Sequence, residues 1–158
     1  KINFLKIASD RNKFKTDYFI WFDIGMIRNK KKIPSYFPNQ EKLKIMKDKI
    51  LVFSLNNNIC KSKKKPDNNK FYTYDNPPHD VLITGPAIGS HKNNISKLHS
   101  LFYNKVESLI QKKKEWAGME QLTFTYISCE NPELFHIEKS KETDFAPDRW
   151  FYGIPYFL

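Results

Sequence analysis

The segment Trp21-Phe22-Asp23-Ile24-Gly25 places a carboxylate directly after a short apolar run. Residues 17–23 are rich in aromatic side chains around Ile20, which predicts a strand buried on both faces, as in a parallel α/β sheet. Ligands of open α/β sheets sit just beyond the carboxyl ends of strands, and Gly25 would let a ligand approach the backbone closely. Hard divalent cations prefer oxygen ligands, so Asp23 is a candidate ligand for a cation that bridges a diphosphate leaving group.

A second candidate site lies at Glu120 and Gln121, where a carboxylate and an amide stand side by side near a predicted helix start. Such a pair can bind sugar hydroxyls, and the carboxylate can act as a general base. The simpler interpretation is that Glu120 is an acidic residue of the first helical turn, favoured there by the helix dipole. Spacing alone favours this simpler interpretation.

Two further strands must position these residues. Residues 49–54 form an apolar run that predicts the second strand, and residues 81–84 predict a short third strand. Gly85-Pro86-Ala87-Ile88-Gly89 follows directly, and its two glycines and proline predict a tight turn open to a ligand. His91 comes just after this turn and is the histidine to follow. The other three lack paired metal-ligand spacing and are interpreted as surface or packed residues: His79, His99 and His136.

Helices are predicted on either side of these strands. Residues 1–11 indicate the end of an amphipathic helix, and a long helix begins after an N-cap at Asn93 or Asn94. Its apolar positions repeat every three or four residues and predict a core-facing stripe of Ile95, Leu98, Phe102, Val106 and Leu109. Another helix is expected from residue 118 or 119 to 127, then a strand at 134–137 and an aromatic tail that must dock. The whole chain, 1–158, is interpreted as one domain with a flexible insertion at 56–70.

The positive charge of the chain suggests a nucleic-acid binder, but the kind of basic residue and its sequence neighbours argue against one. The formal net charge is +10, and 24 of the 27 basic residues are Lys. Arg is the better residue for phosphate and base recognition, and no aromatic side chains are interleaved with the Lys runs as a base-stacking surface requires. A basic face for an anionic ligand or for peripheral contact with a membrane surface remains compatible with this composition.

Several other classes of protein are disfavoured. No apolar run reaches the length of a transmembrane segment, and no signal segment opens the sequence, which favours a cytoplasmic location. Cys60 and Cys129 are too few for a disulfide framework and lack metal-site spacing, so Cys129 is predicted to be a packed thiol. The sequence contains no Gly-x-Gly-x-x-Gly motif, no Walker-type phosphate loop and no nucleophile elbow.

Four segments together resemble the HtrL/YibB family, whose members are similar to GT-A glycosyltransferases. Residues 14–25 resemble the family's Thr-x-Tyr-Phe-x-Trp-x-Asp-Ala-Gly block, and residues 83–91 resemble its Gly-rich strand-to-helix turn. Residues 115–121 resemble its Gly-x-Asp-Gln block. Residues 131–135, with Trp150 downstream, resemble its closing Asn-Pro-x-x-Phe and Trp pattern. The order and approximate spacing agree over nearly the whole chain.

The resemblance implies an α/β fold, with a GT-A-like (Rossmann-like) mixed sheet flanked by helices. It implies that Asp23 holds a divalent cation, Mn²⁺ or Mg²⁺, although Gly25 replaces the second carboxylate of the Asp-x-Asp motif. Glu120 stands where the family has Asp, one methylene shorter, and Gly89-Ser90 stands where it often has Gly-Gly. Because the chain starts at Lys1 inside a predicted helix, we expect it to be the C-terminal portion of such a protein, lacking an N-terminal βα portion.

Three functions remain open from the sequence. The first is a glycosyltransferase that moves a sugar from a nucleotide-sugar donor to a glycan, surface-polymer or lipid-linked acceptor. In it, Asp23, Gly25, Gly85, Gly89 and His91 would bind the donor, and Glu120 and Gln121 would be catalytic. The second is a glycan- or nucleotide-binding module without catalysis, and the third is a Lys-rich nucleic-acid binder, whose affinity would fall steeply with salt.

Overall fold

A four-stranded mixed sheet forms the centre of the molecule. The computed structural model describes residues 1–26, 37–55, 59–60, 83–113, 120–141 and 152–157. Its strands are β1 (Tyr18–Phe22), β2 (Ile50–Ser54), β3 (Ile83–His91) and β4 (Phe135–Lys139). Their spatial order is β1-β3-β2-β4, in which β3 runs antiparallel to both neighbours and β4 runs parallel to β2. The expected mixed α/β architecture is therefore confirmed.

Helices flank this sheet. They are α1 (Ile2–Arg11), α2 (Gln40–Leu43), α3 (Lys92–Lys113), α4 (Glu120–Glu130) and α5 (Gly153–Phe157), with 3-10 turns at Ile24–Met26 and Lys44–Lys47. The predicted helices in the regions of α1, α3 and α4 are confirmed, with ends that differ by a few residues. Within the described ranges, none of the helices has the length and apolar character needed to cross a bilayer.

The central strand β2 is buried on both faces and divides the core into two layers. Side chains of a strand alternate between faces, so Ile50 and Val52 point to one layer and Leu51 and Phe53 to the other. The first layer contains residues of α1, α3 and α4, including the predicted stripe residues Ile95 and Leu98. The second layer is formed by residues 43–46 and by the aromatic tail, which docks as predicted through Tyr152, Ile154, Tyr156 and Phe157.

The prediction for β1 is wrong in two respects. This strand lies at the edge of the sheet, antiparallel to β3, and all five of its residues are only half-buried. Its apolar residues are nevertheless explained by packing on both faces: Phe19 and Trp21 contact the first layer, and Ile20 and Phe22 contact the second. An edge strand covered on both faces has the same apolar pattern as a central parallel strand, so the sequence did not separate the two.

The predicted turn at residues 85–89 is also wrong, because these residues continue β3. The pairing of β3 with β2 shifts between Val52 and Phe53, where Val52 pairs with Ile88 but Phe53 pairs with Thr84. Residues 85–87 therefore form a bulge that is unpaired on the β2 side. Proline is tolerated at such a bulge because it has no N–H to give to a ladder. The carbonyl of Pro86 instead accepts a hydrogen bond from the backbone N–H of Asp23 at 2.8 Å.

A disulfide joins Cys60 to Cys129, so the prediction that Cys129 is a packed thiol is wrong. The two cysteines are 69 residues apart, and only the tertiary structure brings the turn at residues 59–60 onto α4. Disulfides persist in oxidising compartments and are rare in cytosolic proteins. The bond is thus an observation against the cytoplasmic location favoured by the sequence. The rest of the predicted flexible insertion at 56–70 lies outside the described residues.

Breaking the disulfide is expected to lower the free energy of unfolding by about 4 kcal/mol, because a crosslink that closes a loop of this length restricts the unfolded chain. The measurement is urea unfolding of the chain with and without dithiothreitol, with thiol titration to confirm reduction. The variant carrying both Cys60→Ser and Cys129→Ser is the control, and it should unfold like the reduced chain under both conditions. Equal midpoints for the oxidised and fully reduced chain would contradict the expectation.

The buried Tyr156 is expected to make stability fall at high pH. Burial, then the nearby Glu138 carboxylate, raises the pKa of Tyr156 to about 12. Because the folded pKa lies above the ordinary value of 10, the tyrosine loses its proton in the unfolded chain before it does so in the folded chain. The contribution of Tyr156 to the free energy of unfolding is therefore fully present below pH 10 and decreases as the pH rises from 10 to about 12. We expect Tyr156→Phe to reduce this fall by about 1–2 kcal/mol.

The same substitution should have little effect at neutral pH, since the Tyr156 hydroxyl is buried and has no hydrogen-bond partner among the described residues. Urea unfolding at pH 7 and at pH 11 measures both effects. The control is Tyr103→Phe, because the Tyr103 side chain is exposed. A pH profile that Tyr156→Phe leaves unchanged would show that this phenol does not cause the loss.

Candidate functional site

The ammonium of Lys1 lies between two carboxylates at the end of β1. Its Nζ atom donates to Oδ2 of Asp23 and to the carbonyl oxygen of Gly85, each at 3.0 Å, and it also donates to Oε1 of Glu120. The three partners come from the end of β1, from the bulge of β3 and from the first residue of α4. All three side chains are partly buried, with exposed fractions of 19% for Lys1, 36% for Asp23 and 29% for Glu120. Partial burial makes this ion-pair network stronger than a surface pair.

The position of Lys1 follows from the packing of α1. Lys1 precedes the first residue of the helix, and its carbonyl accepts the hydrogen bond from the N–H of Leu5. The buried side chains of Ile2 and Leu5 fix this end of α1 against the first core layer. Lys1 is therefore held at the rim of that layer, within reach of the end of β1.

Asp23 is held from two directions. Its backbone N–H donates to the carbonyl of Pro86, and its Oδ1 atom accepts a hydrogen bond of 2.7 Å from Nε1 of Trp21. The indole of Trp21 stacks on Phe4 of α1, with ring centroids 5.9 Å apart. The carboxylate is thus oriented with one oxygen toward the indole and the other toward Lys1.

Gly85 leaves the space that brings Glu120 close to the sheet. A Cβ atom at Gly85 would lie 2.6 Å from Oε1 of Glu120 and 3.5 Å from Nε2 of Gln121. The hydroxyl of Thr125 ties α4 to β3, because it accepts from the N–H of Ile83 at 3.0 Å and donates to the carbonyl of Gln121 at 2.8 Å. Glu120 is also the first residue of α4, as the simpler interpretation expected.

The structure brings together four of the predicted site residues: Asp23, Gly85, Glu120 and Gln121. It does not bring Gly89 and His91 to them, because these lie toward the other end of β3, about 20 Å along the strand for His91. Gly89 pairs with Ile20 and Leu51 in the middle of the sheet, and the Met46 sulfur packs where its side chain would be. His91 precedes α3, and its Nδ1 atom accepts from the N–H of Asn93 at 3.2 Å. His91 is therefore the N-cap of α3, and the prediction of Asn93 or Asn94 as the cap is wrong.

Gly25 lies two residues beyond Asp23 in the exposed 3-10 turn. Apart from its chain neighbours, no atom of the described residues lies within 4 Å of the place where its Cβ would be. The described turn, Ile24–Met26, supplies no second carboxylate.

The cation implied by the sequence does not fit this arrangement. The two carboxylates that face each other already share the ammonium of Lys1, which stands where a cation bound to both would have to be. Across the described residues, no group of three or more His, Cys, Asp or Glu side chains is arranged to hold a metal ion. We therefore derive no step of the chemistry from a divalent cation.

An open groove of about 750 Å³ lies beside the site, between α1 and β1. Phe4, Phe14, Phe19 and Trp21 line it, and Arg11 adds a positive charge. Trp21 links the two features, since its ring borders the groove while its N–H holds Asp23. Carboxylates and an amide beside an aromatic ring form a surface suited to sugars, whose hydroxyls donate hydrogen bonds and whose C–H faces pack on rings.

Lys1 is the residue that sequence reasoning missed. It is separated by 22 residues from Asp23 and by 119 from Glu120, and no local pattern links them. The amphipathic pattern of residues 1–11 predicts that this helix packs on the core. It does not predict which other element the first residue of the segment contacts.

Comparison with known proteins gives one match. The model of a family described as "Bacterial protein of unknown function (HtrL_YibB)" matches residues 1–151, nearly the whole chain. No curated protein and no solved structure matches the chain.

Replacing Lys1 with Met is expected to lower the free energy of unfolding by about 1–2 kcal/mol, because it leaves two partly buried carboxylates facing each other. A double-mutant cycle with Glu120→Gln, measured by urea unfolding, should give a coupling of at least about 0.5 kcal/mol. The control is Lys6→Met on the same helix. Lys6 pairs with Asp10 on the exposed face, so its loss should cost about 0.3–0.5 kcal/mol. Equal losses for the two variants would contradict the structural importance given to Lys1.

Proposed function

The chain belongs to the HtrL/YibB family, and from this premise we propose that it is a glycosyltransferase-like protein. It would transfer a sugar from a nucleotide-sugar donor to a glycan or lipid-linked acceptor. The observation that carries the proposal is that Lys1 joins Asp23 to Glu120 beside the side-chain-free position at Gly85, where Gln121 also lies. Asp23 is distant in sequence from Glu120 and Gln121, and the resemblance to GT-A glycosyltransferases points to the same residues.

Glu120 is the group we assign to proton transfer. Its Oε1 atom faces Lys1, while its Oε2 atom has no partner among the described residues. In the proposed reaction, an acceptor hydroxyl attacks the anomeric carbon of the donor sugar and its proton passes to Oε2 of Glu120. The bond between that carbon and the diphosphate oxygen breaks, and the nucleoside diphosphate leaves with the electron pair. Lys1 holds the carboxylate in position through Oε1.

Asp23 and Gln121 would bind the sugar. The Asp23 carboxylate accepts hydrogen bonds from hydroxyls, and the Gln121 amide can both donate and accept them. The aromatic groove next to Trp21 supports an acceptor site on the same side of the sheet. Gly89 and His91 have no part in this proposal, because they lie away from the cluster.

The proposal is tested by incubating the protein with a panel of UDP-, GDP- and CMP-sugars and measuring release of the nucleotide. We expect Glu120→Gln to lower the release rate by about 10²-fold or more, since it removes the base. We expect Asp23→Asn to weaken sugar binding and to lower the rate as well.

Asp17→Asn is the matched control. Asp17 lies just before β1, at the opposite end from Asp23, and pairs with Lys92, which lowers the pKa of Asp17 through a hydrogen bond and charge attraction. Its replacement should leave nucleotide release unchanged. Release that persists at full rate in both Asp23→Asn and Glu120→Gln would show that this cluster is not the catalytic site.

The second candidate is a glycan-binding module without catalysis. It is favoured by one observation, namely that Gly25 stands where a second carboxylate would hold a donor diphosphate through a cation. It predicts saturable binding of a glycan, lost in Asp23→Asn, with no nucleotide release from any donor. A glycan array read in parallel with the release assay distinguishes the two functions.

A further inference from the structure

The environment of the Lys1 ammonium is that of a bound cation. An ammonium has three N–H donors, and each has an oxygen acceptor: Oδ2 of Asp23, Oε1 of Glu120 and the carbonyl oxygen of Gly85. Carboxylate and carbonyl oxygens are also the ligands that Mg²⁺ and Mn²⁺ prefer. The three oxygens come from three separate elements and surround one point, which Nζ occupies.

We propose that Lys1 is a built-in replacement for a divalent cation, so that Asp23 and Glu120 are held together, and their mutual repulsion is offset, without metal. This proposal rests on the proposed function only for the location of the site, not for the reaction. It reverses the expectation from the sequence, in which Asp23 is a metal ligand. Lys1 thereby becomes a positioning residue that acts through the two carboxylates.

Electrostatics explains why the two cations exclude each other. A divalent ion that bound both carboxylates would lie within a few ångströms of the ammonium, and like charges at that distance repel strongly in a partly buried site. The ion would also have to give up water molecules for oxygens that already accept hydrogen bonds from Lys1. The burial of Ile2 and Leu5 holds the start of α1 against the core, which keeps the Lys1 side chain beside the two carboxylates.

The remaining charge of the cluster has a consequence for ligands. One ammonium and two carboxylates leave a net charge of −1, and all three donors of the ammonium are engaged within the cluster. Such a site attracts hydrogen-bond donors such as sugar hydroxyls. The part of a ligand that this cluster suits is therefore a sugar ring, whose hydroxyls it can bind without metal.

The experiment is a titration of the chain with Mn²⁺ alone, followed by the loss of the free-ion electron paramagnetic resonance signal. The proteins compared are the wild type, Asp23→Asn, Lys1→Met, Lys1→Arg and the double variant Lys1→Met with Asp23→Asn. Some Mn²⁺ will bind elsewhere on the chain. This background binding cancels when two proteins that differ only at Asp23 are compared, because it is the same in both.

We expect the wild type and Asp23→Asn to bind Mn²⁺ equally, and Lys1→Arg to match them because it keeps the charge. Lys1→Met keeps the aliphatic stem but frees the oxygens, so its affinity should rise by at least about tenfold. This gain should disappear in the double variant, because Asp23→Asn removes one of the ligands.

Two results would overturn the proposal. Wild-type binding that is lost in Asp23→Asn would show that the site takes a cation in spite of Lys1. A folded Lys1→Met, verified by circular dichroism, that gains no Mn²⁺ would show that Lys1 is not what excludes the ion. If Lys1→Met does not fold, the comparison of the wild type with Asp23→Asn still decides the first point. Because no donor is present, these outcomes do not depend on whether the protein transfers sugars.

Discussion

The ammonium of Lys1 joins α1, β1, β3 and α4 at one point, and the arrangement of the candidate site depends on it. Without this charge, Asp23 and Glu120 would repel each other across the space that Gly85 leaves. The attraction is effective because the three side chains are partly buried, where water screens charges less than at the surface. The site is therefore a property of four packed elements and not of a single motif.

The bulge of β3 is the second feature on which the site depends. Because residues 85–87 are unpaired on the side of β2, the Gly85 carbonyl is free to accept from Lys1. The bond from the backbone N–H of Asp23 to the Pro86 carbonyl continues the register of β1 and β3 on the other side of the strand. Bulges often lie next to functional sites because they redirect the backbone. Here the bulge frees the carbonyl through which β3 meets Lys1.

The two faces of the sheet have different roles: the first core layer carries the site residues, and the second closes the core on the opposite side. On the first layer, α1 and α4 carry Lys1 and Glu120, and the disulfide ties α4 to the turn at residues 59–60. On the second layer, the aromatic tail packs against Phe53 and closes the core behind the sheet. The candidate site lies where the edge of the sheet meets the first layer. There, side chains are fixed by packing but remain half-open to solvent.

The sequence by itself determined the local structure and part of the site. Apolar periodicity located α1, α3 and β2 because burial imposes that pattern on each segment separately, and the family resemblance selected Asp23, Glu120 and Gln121. Only the tertiary structure decided that β1 is an edge strand, that residues 85–89 extend β3, and that Cys60 pairs with Cys129. It also decided that Lys1 joins the carboxylates. These features depend on contacts between residues far apart in the chain, and local composition carries no record of which distant segments meet.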